Sequence, residues 1–388
     1  MSNDLFDSKL NELKSLKLFR NLHISESPNQ SMQIIDGSQV INFCSNNYLG
    51  FANHERLKMA AIKAIHEFGV GSGSVRTING NTSLHEMLDQ KIAHFKHEKS
   101  AHHFQSGLNC NIGAIQAIAE EGDLIISDEL NHASIIDGVR LSKAAKKIYK
   151  SCNPNHLEEV LKEHRKNYKN TFIITDGVFS MDGNIAPLPH IVELAEKFEC
   201  FCYVDDAHGS GVLGKNGRGT IDHFNLHGKI DFIVGTLSKA IGSIGGYIAG
   251  SEETYSWLNH RARPLLFSTS LPPASVAASI EAITMLEESD EYSKTLWENT
   301  HFFQNKLKEE GFDINNTQTP ITPVIIGDEA KAMLVSKKLL EIGVYASAIL
   351  FPTVPKGKAR IRFMVSAMHT KEQLEKTVEM LKIAIKHY

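Results

Sequence analysis

Residues 201–209 read FCYVDDAHG and residues 232–240 read FIVGTLSKA, and these two stretches determine which fold the sequence predicts. Each begins with a short apolar run rich in β-branched and aromatic residues, which is typical of a buried parallel strand. Polar residues follow each run, and among them are Asp205, His208 and Lys239. Because ligands bind at the carboxyl ends of parallel strands, these three side chains are predicted to share one site.

Lys239 carries the most distinctive chemistry of the three. It lies next to Thr236 and Ser238 and is followed by a glycine-rich segment, a setting in which backbone can approach a phosphate. A lysine placed there can form a Schiff base with a phosphorylated aldehyde cofactor, and Asp205 can then pair with the ring nitrogen of that cofactor. His208 is predicted to hydrogen-bond to the phenolic oxygen of the ring, with a turn-capping role as the alternative.

Strands and helices alternate through the middle of the chain. Apolar strand candidates end near Ser127, Asp176, Asp205 and Gly235, and helical stretches such as 191–198 lie between some of them. Their spacing of about 30 to 50 residues suits βαβ crossovers. The sequence therefore predicts an α/β fold with a mostly parallel sheet and helices on both faces.

The two ends of the chain have different patterns. Residues 1–19 predict an amphipathic helix rather than a signal peptide or a transmembrane segment, and Asp36 with Gly37 predicts a hairpin turn. After residue 273 a helical stretch to 288, a charged segment and later strands predict a small α+β domain. The expected division is an N-terminal arm at 1–51, a large cofactor-binding domain at 52–280 and a small C-terminal domain at 281–388.

The composition is that of a soluble globular protein. The chain has 388 residues, 42% of them hydrophobic, and its formal net charge of -4 gives no electrostatic case for binding nucleic acid. Five scattered cysteines favour a reduced, cytoplasmic protein. Cys200 and Cys202 have no second Cys/His pair to complete a zinc pattern, so no metal is expected.

Further candidate residues follow other predicted strands and start helices. Ser106 and Gly107 precede a helix that is predicted to reach Ile118, and a helix N-terminus binds anions such as phosphate. His132 follows the strand that ends near residue 126, where its ring can stack on a flat cofactor. Ser180 follows another strand and is predicted to reach the same cleft, with a tight turn as the alternative.

Two arginines lie on a predicted strand of the C-terminal region. Alternation places Arg360 and Arg362 on the same face, and a buried arginine can bind a carboxylate in a bidentate pair. Spacing alone does not choose between the two.

The motifs together resemble the α-oxoamine synthases, a family of fold type I enzymes that use pyridoxal 5'-phosphate (PLP) to join an amino acid to an acyl-CoA. The resemblance covers residues 20–370 and implies a large PLP-binding domain with a small α+β domain. The segments that carry it are Ser45–Gly50, Asp128–Ser134, Asp176–Gly183, Asp205–Gly209 and Thr236–Lys239.

The resemblance implies a role for each matching residue around the cofactor. Lys239 is the Schiff-base lysine, Asp205 pairs with the pyridinium nitrogen, His208 contacts the phenolic oxygen, and His132 stacks on the ring. The phosphate or cofactor-pocket positions are Ser106, Gly107, Leu108, Ser180 and Thr236.

Other matching positions concern the partner subunit and the substrate. Ser268 and Thr269 match residues that reach the phosphate from the neighbouring subunit, which implies a homodimer with its site at the interface. Arg362 matches the arginine that binds the substrate carboxylate. The substrate-pocket positions are Arg20, Asn46 and Thr353.

The branch of the family decides the substrates. Segments 126–138, 351–357 and 366–370 are most similar to glycine C-acetyltransferase, which uses glycine and acetyl-CoA. The alternative is 8-amino-7-oxononanoate synthase, which uses alanine and pimeloyl-CoA, because residues 20–22 and 352–355 fit it equally well. Serine palmitoyltransferase, an aminotransferase and a noncatalytic protein of the same fold are the remaining alternatives.

Overall fold

The computed structural model describes residues 4–15, 19 and 22–388. The helices are Asp4–Ser15 (α1), Glu55–Phe68 (α2), Ser83–Lys96 (α3), Gly107–Ile118 (α4), Ala133–Leu141 (α5), Pro154–His164 (α6), Leu188–Phe198 (α7), Thr220–His223 (α8), Glu252–Arg261 (α9), Arg263–Phe267 (α10), Pro273–Glu288 (α11), Glu291–Glu309 (α12), Glu329–Glu341 (α13) and Lys371–Lys386 (α14). The strands are Met32–Ile35 (β1), Ser38–Asn42 (β2), Ser100–Phe104 (β3), Leu124–Asp128 (β4), Ala145–Tyr149 (β5), Thr171–Asp176 (β6), Phe201–Asp205 (β7), Phe232–Thr236 (β8), Gly246–Gly250 (β9), Ile321–Gly327 (β10), Val344–Tyr345 (β11), Ser347–Ile349 (β12) and Ala359–Met364 (β13).

A seven-stranded sheet forms the centre of the protein, in the order β3-β9-β8-β7-β6-β4-β5. β9 is antiparallel to both of its neighbours, and the other six strands run in one direction. The predicted mostly parallel α/β sheet is therefore confirmed. Its parallel direction brings the carboxyl ends of β4, β6, β7 and β8 to the same edge.

The central strands β4, β6, β7 and β8 are buried on both faces of the sheet, which explains why they read as short apolar runs. In β6, Ile173 packs with Ile126 and Val204 on one face, while Phe172 and Ile174 belong to the core on the other. Helices α3, α7 and α11 contribute to the first core, and α4 and α5 contribute to the second.

A third hydrophobic core lies in the C-terminal region, where β10, β13 and β12 form an antiparallel sheet. The hairpin of β1 and β2 joins this region, because β2 pairs in parallel with β11 and Phe43 packs in the same core. The division at residues 51 and 280 stays a prediction.

The charged segment after residue 288 forms the 19-residue helix α12. Its buried face includes Leu296, Phe303 and Leu307, and charged residues on its other positions mask that helical repeat in the sequence.

The N-terminal predictions are largely confirmed. Asp36 and Gly37 form the hairpin turn with φ of 49° and 75°, as a two-residue turn requires. Helix α1 lies within the predicted stretch 1–19, of which residues 1–3 and 16–18 are outside the described part. Among the described residues, no helix is long and apolar enough to cross a membrane.

Candidate active site

A cavity of about 150 Å³ opens where β4, β6, β7 and β8 end, in the crevice position where open α/β sheets bind ligands. Eight of the predicted site residues line it. The full lining consists of Gly107, Leu108, Asn111, His132, Ser134, Asp176, Val178, Ser180, Asp205, Ala207, His208, Thr236 and Lys239.

Asp205 is fixed in the cavity by two hydrogen-bond donors. It ends β7 and is 5% exposed. The Nδ2 group of Asn111 donates to its Oδ2 at 2.7 Å, and the backbone N–H of Ala207 donates to its Oδ1 at 3.0 Å. Tyr203 donates its hydroxyl to Oδ1 of Asn111 at 2.7 Å, which fixes the direction of the amide. Burial raises the pKa of Tyr203, so this phenol stays a donor.

Lys239 brings an amine into this cavity. Burial lowers its pKa to about 8, although the carboxylates of Asp205 and Asp176 oppose that shift. Nζ of Lys239 has no hydrogen-bond partner within the part of the chain that the structure describes. This lowered pKa increases the share of neutral amine near neutral pH, and the neutral amine is the form that attacks an aldehyde.

The N-terminus of α4 faces the loop that carries Lys239. Ser106 caps this helix through its Oγ, which accepts the N–H of Asn109 at 3.1 Å. A Cβ on Gly246 would lie 2.5 Å from the carbonyl oxygen of Ser106 and 2.6 Å from Gly107 N, so only glycine allows this approach. Gly107 also lies against Thr236, so these positions make a corner at a helix N-terminus, which is the kind of place where proteins bind anions.

His132 presents a neutral ring to the cavity. Burial lowers its pKa, and the charge of Lys239 adds to that effect against the pull of Asp205. Its Nδ1 accepts the N–H of Ser134 at 3.2 Å and lies 2.7 Å from the Ser134 hydroxyl. The ring proton of the neutral form is therefore on Nε2. A flat, neutral ring held in this way suits stacking.

His208 is the second imidazole of the site and is 8% exposed. Its Nδ1 lies 2.8 Å from the hydroxyl of Tyr48, which leaves Nε2 for a ligand in the cavity. Burial holds the pKa of His208 well below its usual range, and the charges of Lys239 and Arg362 add to this. Burial also raises the pKa of Tyr48. The pair is therefore neutral at pH 7.

Asp176 is a second cavity carboxyl that the sequence prediction did not single out. It is the in-register neighbour of Asp205 in the parallel pair β6–β7. Its Oδ2 accepts the backbone N–H of His132 at 2.8 Å. Burial and the nearby charge of Asp205 hold its pKa well above the usual range. Its position as the last, acidic residue of an apolar strand is the signal that could have identified it.

The contacts of the two arginines distinguish them, which their spacing did not. Arg360 is 3% exposed and forms an ion pair with Asp182. Arg362 donates from Nη1 to the carbonyl of Ser180 at 3.0 Å, and its buried Nε has no partner among the described residues. Arg362 therefore keeps a donor free beside a cavity residue, whereas Arg360 is committed to a carboxylate.

Six further predicted residues lie in the described part of the chain and do not line this cavity. Ser268 and Thr269 lie after α10, where their carbonyls accept Nε2 of Gln105 at 3.3 and 2.9 Å. The other four are Ser106, Asn46, Thr353 and Arg362. The buried Oδ1 of Asn46 has no partner among the described residues. Arg20 is outside the described residues.

The residues present fit PLP. A phosphorylated pyridine aldehyde needs an amine for its aldehyde, a carboxylate for its ring nitrogen, a flat neighbour for its ring and an anion site for its phosphate. Lys239, Asp205, His132 and the corner at Gly107 supply these four groups around one cavity. The glycine-only contact at Gly246 gives the anion site its close backbone.

Comparisons with known sequences agree with this donor set. Residues 38–381 match the family model of class I and II aminotransferases. The chain is 64% identical over 374 residues to 8-amino-7-oxononanoate synthase of Alkaliphilus oremlandii (strain OhILAs), covering 96% of this chain and 95% of that protein. It is 60% identical over 372 residues to the enzyme of the same name from Thermoanaerobacter pseudethanolicus, with coverage of 96% and 94%.

Solved structures give the same family. A serine palmitoyltransferase of Sphingomonas wittichii superposes with a TM-score of 0.95 at 29% identity, covering 100% of this chain and 98% of that one. An 8-amino-7-oxononanoate synthase from Francisella tularensis gives a TM-score of 0.76 at 28% identity, with coverage of 90% and 98%. A structure of SPT with a PLP internal aldimine gives 0.95 at 29% identity over 100% and 99%. The predicted fold type I architecture and the PLP cofactor are thereby confirmed.

Proposed function

We propose that this chain, which belongs to the PLP-dependent α-oxoamine synthases within the class I and II aminotransferase family, is an 8-amino-7-oxononanoate synthase that condenses alanine with pimeloyl-CoA. The observation that carries the proposal is the 64% identity to an enzyme of that name over nearly the full length of both proteins. Eight relatives with identities from 53 to 64% have the same name. This favours the alternative branch of the sequence prediction over its first choice, glycine C-acetyltransferase.

The chain is a PLP-dependent enzyme that joins an amino acid to the acyl group of a CoA thioester. When bound, PLP supplies an electron-withdrawing ring that stabilises negative charge at the α-carbon of the amino acid. Lys239, with its pKa near 8, is suited to take the α-proton on Nζ and to return it. Asp205 holds a proton on the ring nitrogen, and Asn111 keeps its carboxylate aimed there.

Three further residues bind and orient the cofactor and the amino acid substrate. His132 offers its flat neutral ring, and His208 offers Nε2 to the phenolic oxygen. Arg362 binds the carboxylate of the amino acid through its free Nε, because its Nη1 is held by the carbonyl of Ser180.

A substrate matrix tests the proposal. Glycine, alanine and serine are each combined with acetyl-, pimeloyl- and palmitoyl-CoA, and the release of free thiol is followed against the Lys239→Ala variant as the inactive control. The highest kcat/KM is expected for alanine with pimeloyl-CoA. A higher kcat/KM for glycine with acetyl-CoA overturns the proposal in favour of glycine C-acetyltransferase. A higher kcat/KM for serine with palmitoyl-CoA overturns it in favour of serine palmitoyltransferase.

The matrix also tests the class of reaction. An aminotransferase would use the same lysine and aspartate but would release no thiol from any acyl-CoA. Amino transfer to a 2-oxo acid without thiol release would therefore contradict the condensation itself.

A homodimer in the cytoplasm is part of the proposal. Ser268 and Thr269 lie outside the cavity of their own chain, which suits a contribution to a neighbouring subunit, and all five cysteines are free thiols, as a reducing compartment requires. Thr269→Glu would place a charge against the phosphate of the partner's site. Subunits of Thr269→Glu and Lys239→Ala, each inactive alone, are expected to regain up to about a quarter of the activity when they exchange. Two inactive variants that never complement would refute the shared site.

A further inference from the structure

A buried ion pair lies directly behind the active-site turn. Asp206, the residue after Asp205, does not line the cavity, and its Oδ2 lies 2.9 Å from Nζ of Lys96. The two side chains are 0% and 3% exposed. Lys96 is the last residue of α3, so this pair ties the end of that helix to the turn after β7.

Every hydrogen-bonding group of this pair has a partner. Besides Asp206, Nζ of Lys96 donates to Oγ of Ser210 at 2.8 Å and to the carbonyl of Arg218 at 2.5 Å. Oδ1 of Asp206 accepts the backbone N–H of Thr220 at 3.0 Å and its hydroxyl at 2.7 Å. A buried charge pair that is satisfied to this degree has one geometry rather than several.

The backbone of Asp206 is fixed as firmly as its side chain. Its N–H donates to the carbonyl of Val234 in β8 at 2.7 Å, and its carbonyl accepts the N–H groups of Gly209 and Ser210 at 3.1 and 2.9 Å. These bonds surround His208 on both sides in the sequence. The backbone position of His208 therefore depends on where Asp206 sits, and the hydroxyl of Tyr48 holds its ring at Nδ1.

Backbone also encloses the carboxylate of Asp206. A Cβ on Gly209 would lie 2.1 Å from its Oδ1, and a Cβ on Gly219 would lie 1.7 Å from its Oδ2. Two segments of chain thus pack on this carboxylate without a side chain between. A displacement of the carboxylate therefore moves the backbone of the turn as well, because protein interiors are close-packed and transmit strain.

Stability alone does not explain the pair. Replacing a buried ion pair by apolar residues of similar size is often neutral or stabilising, because desolvation of the two charges cancels much of their attraction. The hydroxyl of Ser210 also donates to Oδ2 of Asp206 at 3.2 Å, which brings the side-chain hydrogen bonds of the pair to six. An apolar pair cannot supply these directional contacts to fixed atoms of Lys96 and Asp206.

We propose that Lys96 and Asp206 form a positioning pair, which holds the turn so that Asp205 and His208 both face the PLP ring. Neither residue of the pair touches the cavity, so their effect on the cofactor is exerted through the turn. The inference depends on the PLP site and is independent of the amino acid and the acyl-CoA.

The test compares PLP binding with folding stability. Apoprotein is titrated with PLP and followed by its visible absorption, and the melting temperature is measured in parallel without any acyl-CoA. Lys96→Met and Asp206→Asn are expected to weaken PLP binding by about tenfold or more and to shift the absorption band at temperatures well below melting. Lys91→Met is the matched control, because Lys91 lies on the same helix and pairs with Glu287 away from the cavity. It is expected to leave PLP affinity within about twofold.

A double variant separates position from stability. Lys96→Met combined with Asp206→Leu removes both charges, which is expected to recover the melting temperature but not the PLP affinity or the absorption band. Recovery of all three would overturn the inference, and so would single variants that melt lower but bind PLP normally. If the single variants do not fold, the double variant alone decides whether the ion pair positions the turn for PLP. Because the experiment uses no thioester, its result does not depend on which amino acid and acyl-CoA are the substrates.

Discussion

Replacing Arg362 by lysine is expected to raise the KM for the amino acid substrate and to leave the KM for the acyl-CoA nearly unchanged. The guanidinium donates from Nη1 to Ser180 O, and its buried Nε is unpartnered within the described chain, so Nε is free for the carboxylate. A charge-assisted hydrogen bond contributes about 1.5 to 3 kcal/mol. Lysine keeps the charge but loses the fork, so the loss of one such bond predicts a KM raised by about 10- to 150-fold.

The assay measures initial rates of thiol release while the amino acid is varied at saturating acyl-CoA. Arg360→Lys is the matched control, since Arg360 lies two residues away on the same strand face and its guanidinium is committed to Asp182. We expect Arg360→Lys to lower the melting temperature and to leave both KM values within about twofold. The reasoning fails if Arg362→Lys leaves the amino acid KM unchanged, or if Arg360→Lys raises it instead.

Lys239→Ala is expected to bind PLP without forming a link that borohydride can reduce. The wild-type apoprotein should capture PLP faster as the pH rises through about 8, because the neutral amine is the reacting form. A capture rate that is flat from pH 7 to 9 would contradict this. Asp176→Ala leaves the N–H of His132 unpaired and should cost about 1 to 3 kcal/mol in thermal unfolding, whereas Asp176→Asn keeps an acceptor oxygen for that N–H and should cost less. Equal losses in both variants would argue that Asp176 acts as a charged group. Gly246→Ala should weaken PLP binding strongly, because its Cβ would lie 2.5 Å from Ser106 O; unchanged binding in a titration would show that the corner can relax.

The positions of Asp205 and Lys239 could be predicted from the sequence because both depend on local pattern. A short apolar run predicts a strand, the parallel arrangement follows from the βαβ spacing, and the carboxyl ends of parallel strands meet at one edge. The structure places both side chains in the same cavity. These steps need no knowledge of contacts between distant residues.

The residues that support Asp205 could not be found in the same way. Asn111 is 94 positions from Asp205 in the sequence and lies in a helix whose local pattern predicts nothing beyond a buried face. The choice between Arg360 and Arg362 depends on Asp182 and Ser180, which are about 180 residues away. Such contacts are set by the topology of the whole sheet, so no short window of sequence contains them.

The two cavity acids differ in the hydrogen-bond donors that reach them. Asp205 accepts bonds from Asn111 and from the N–H of Ala207, whereas Asp176 accepts only the N–H of His132 within the described structure. Burial and the nearby charge of Asp205 hold the pKa of Asp176 well above its usual range. Asp176 holds the loop of His132 through that N–H, and Asp205 is the acid that we propose to pair with the ring nitrogen. The neighbouring acids Asp205 and Asp206 differ in another way, because Asp205 lines the cavity and Asp206 is paired with the buried Lys96.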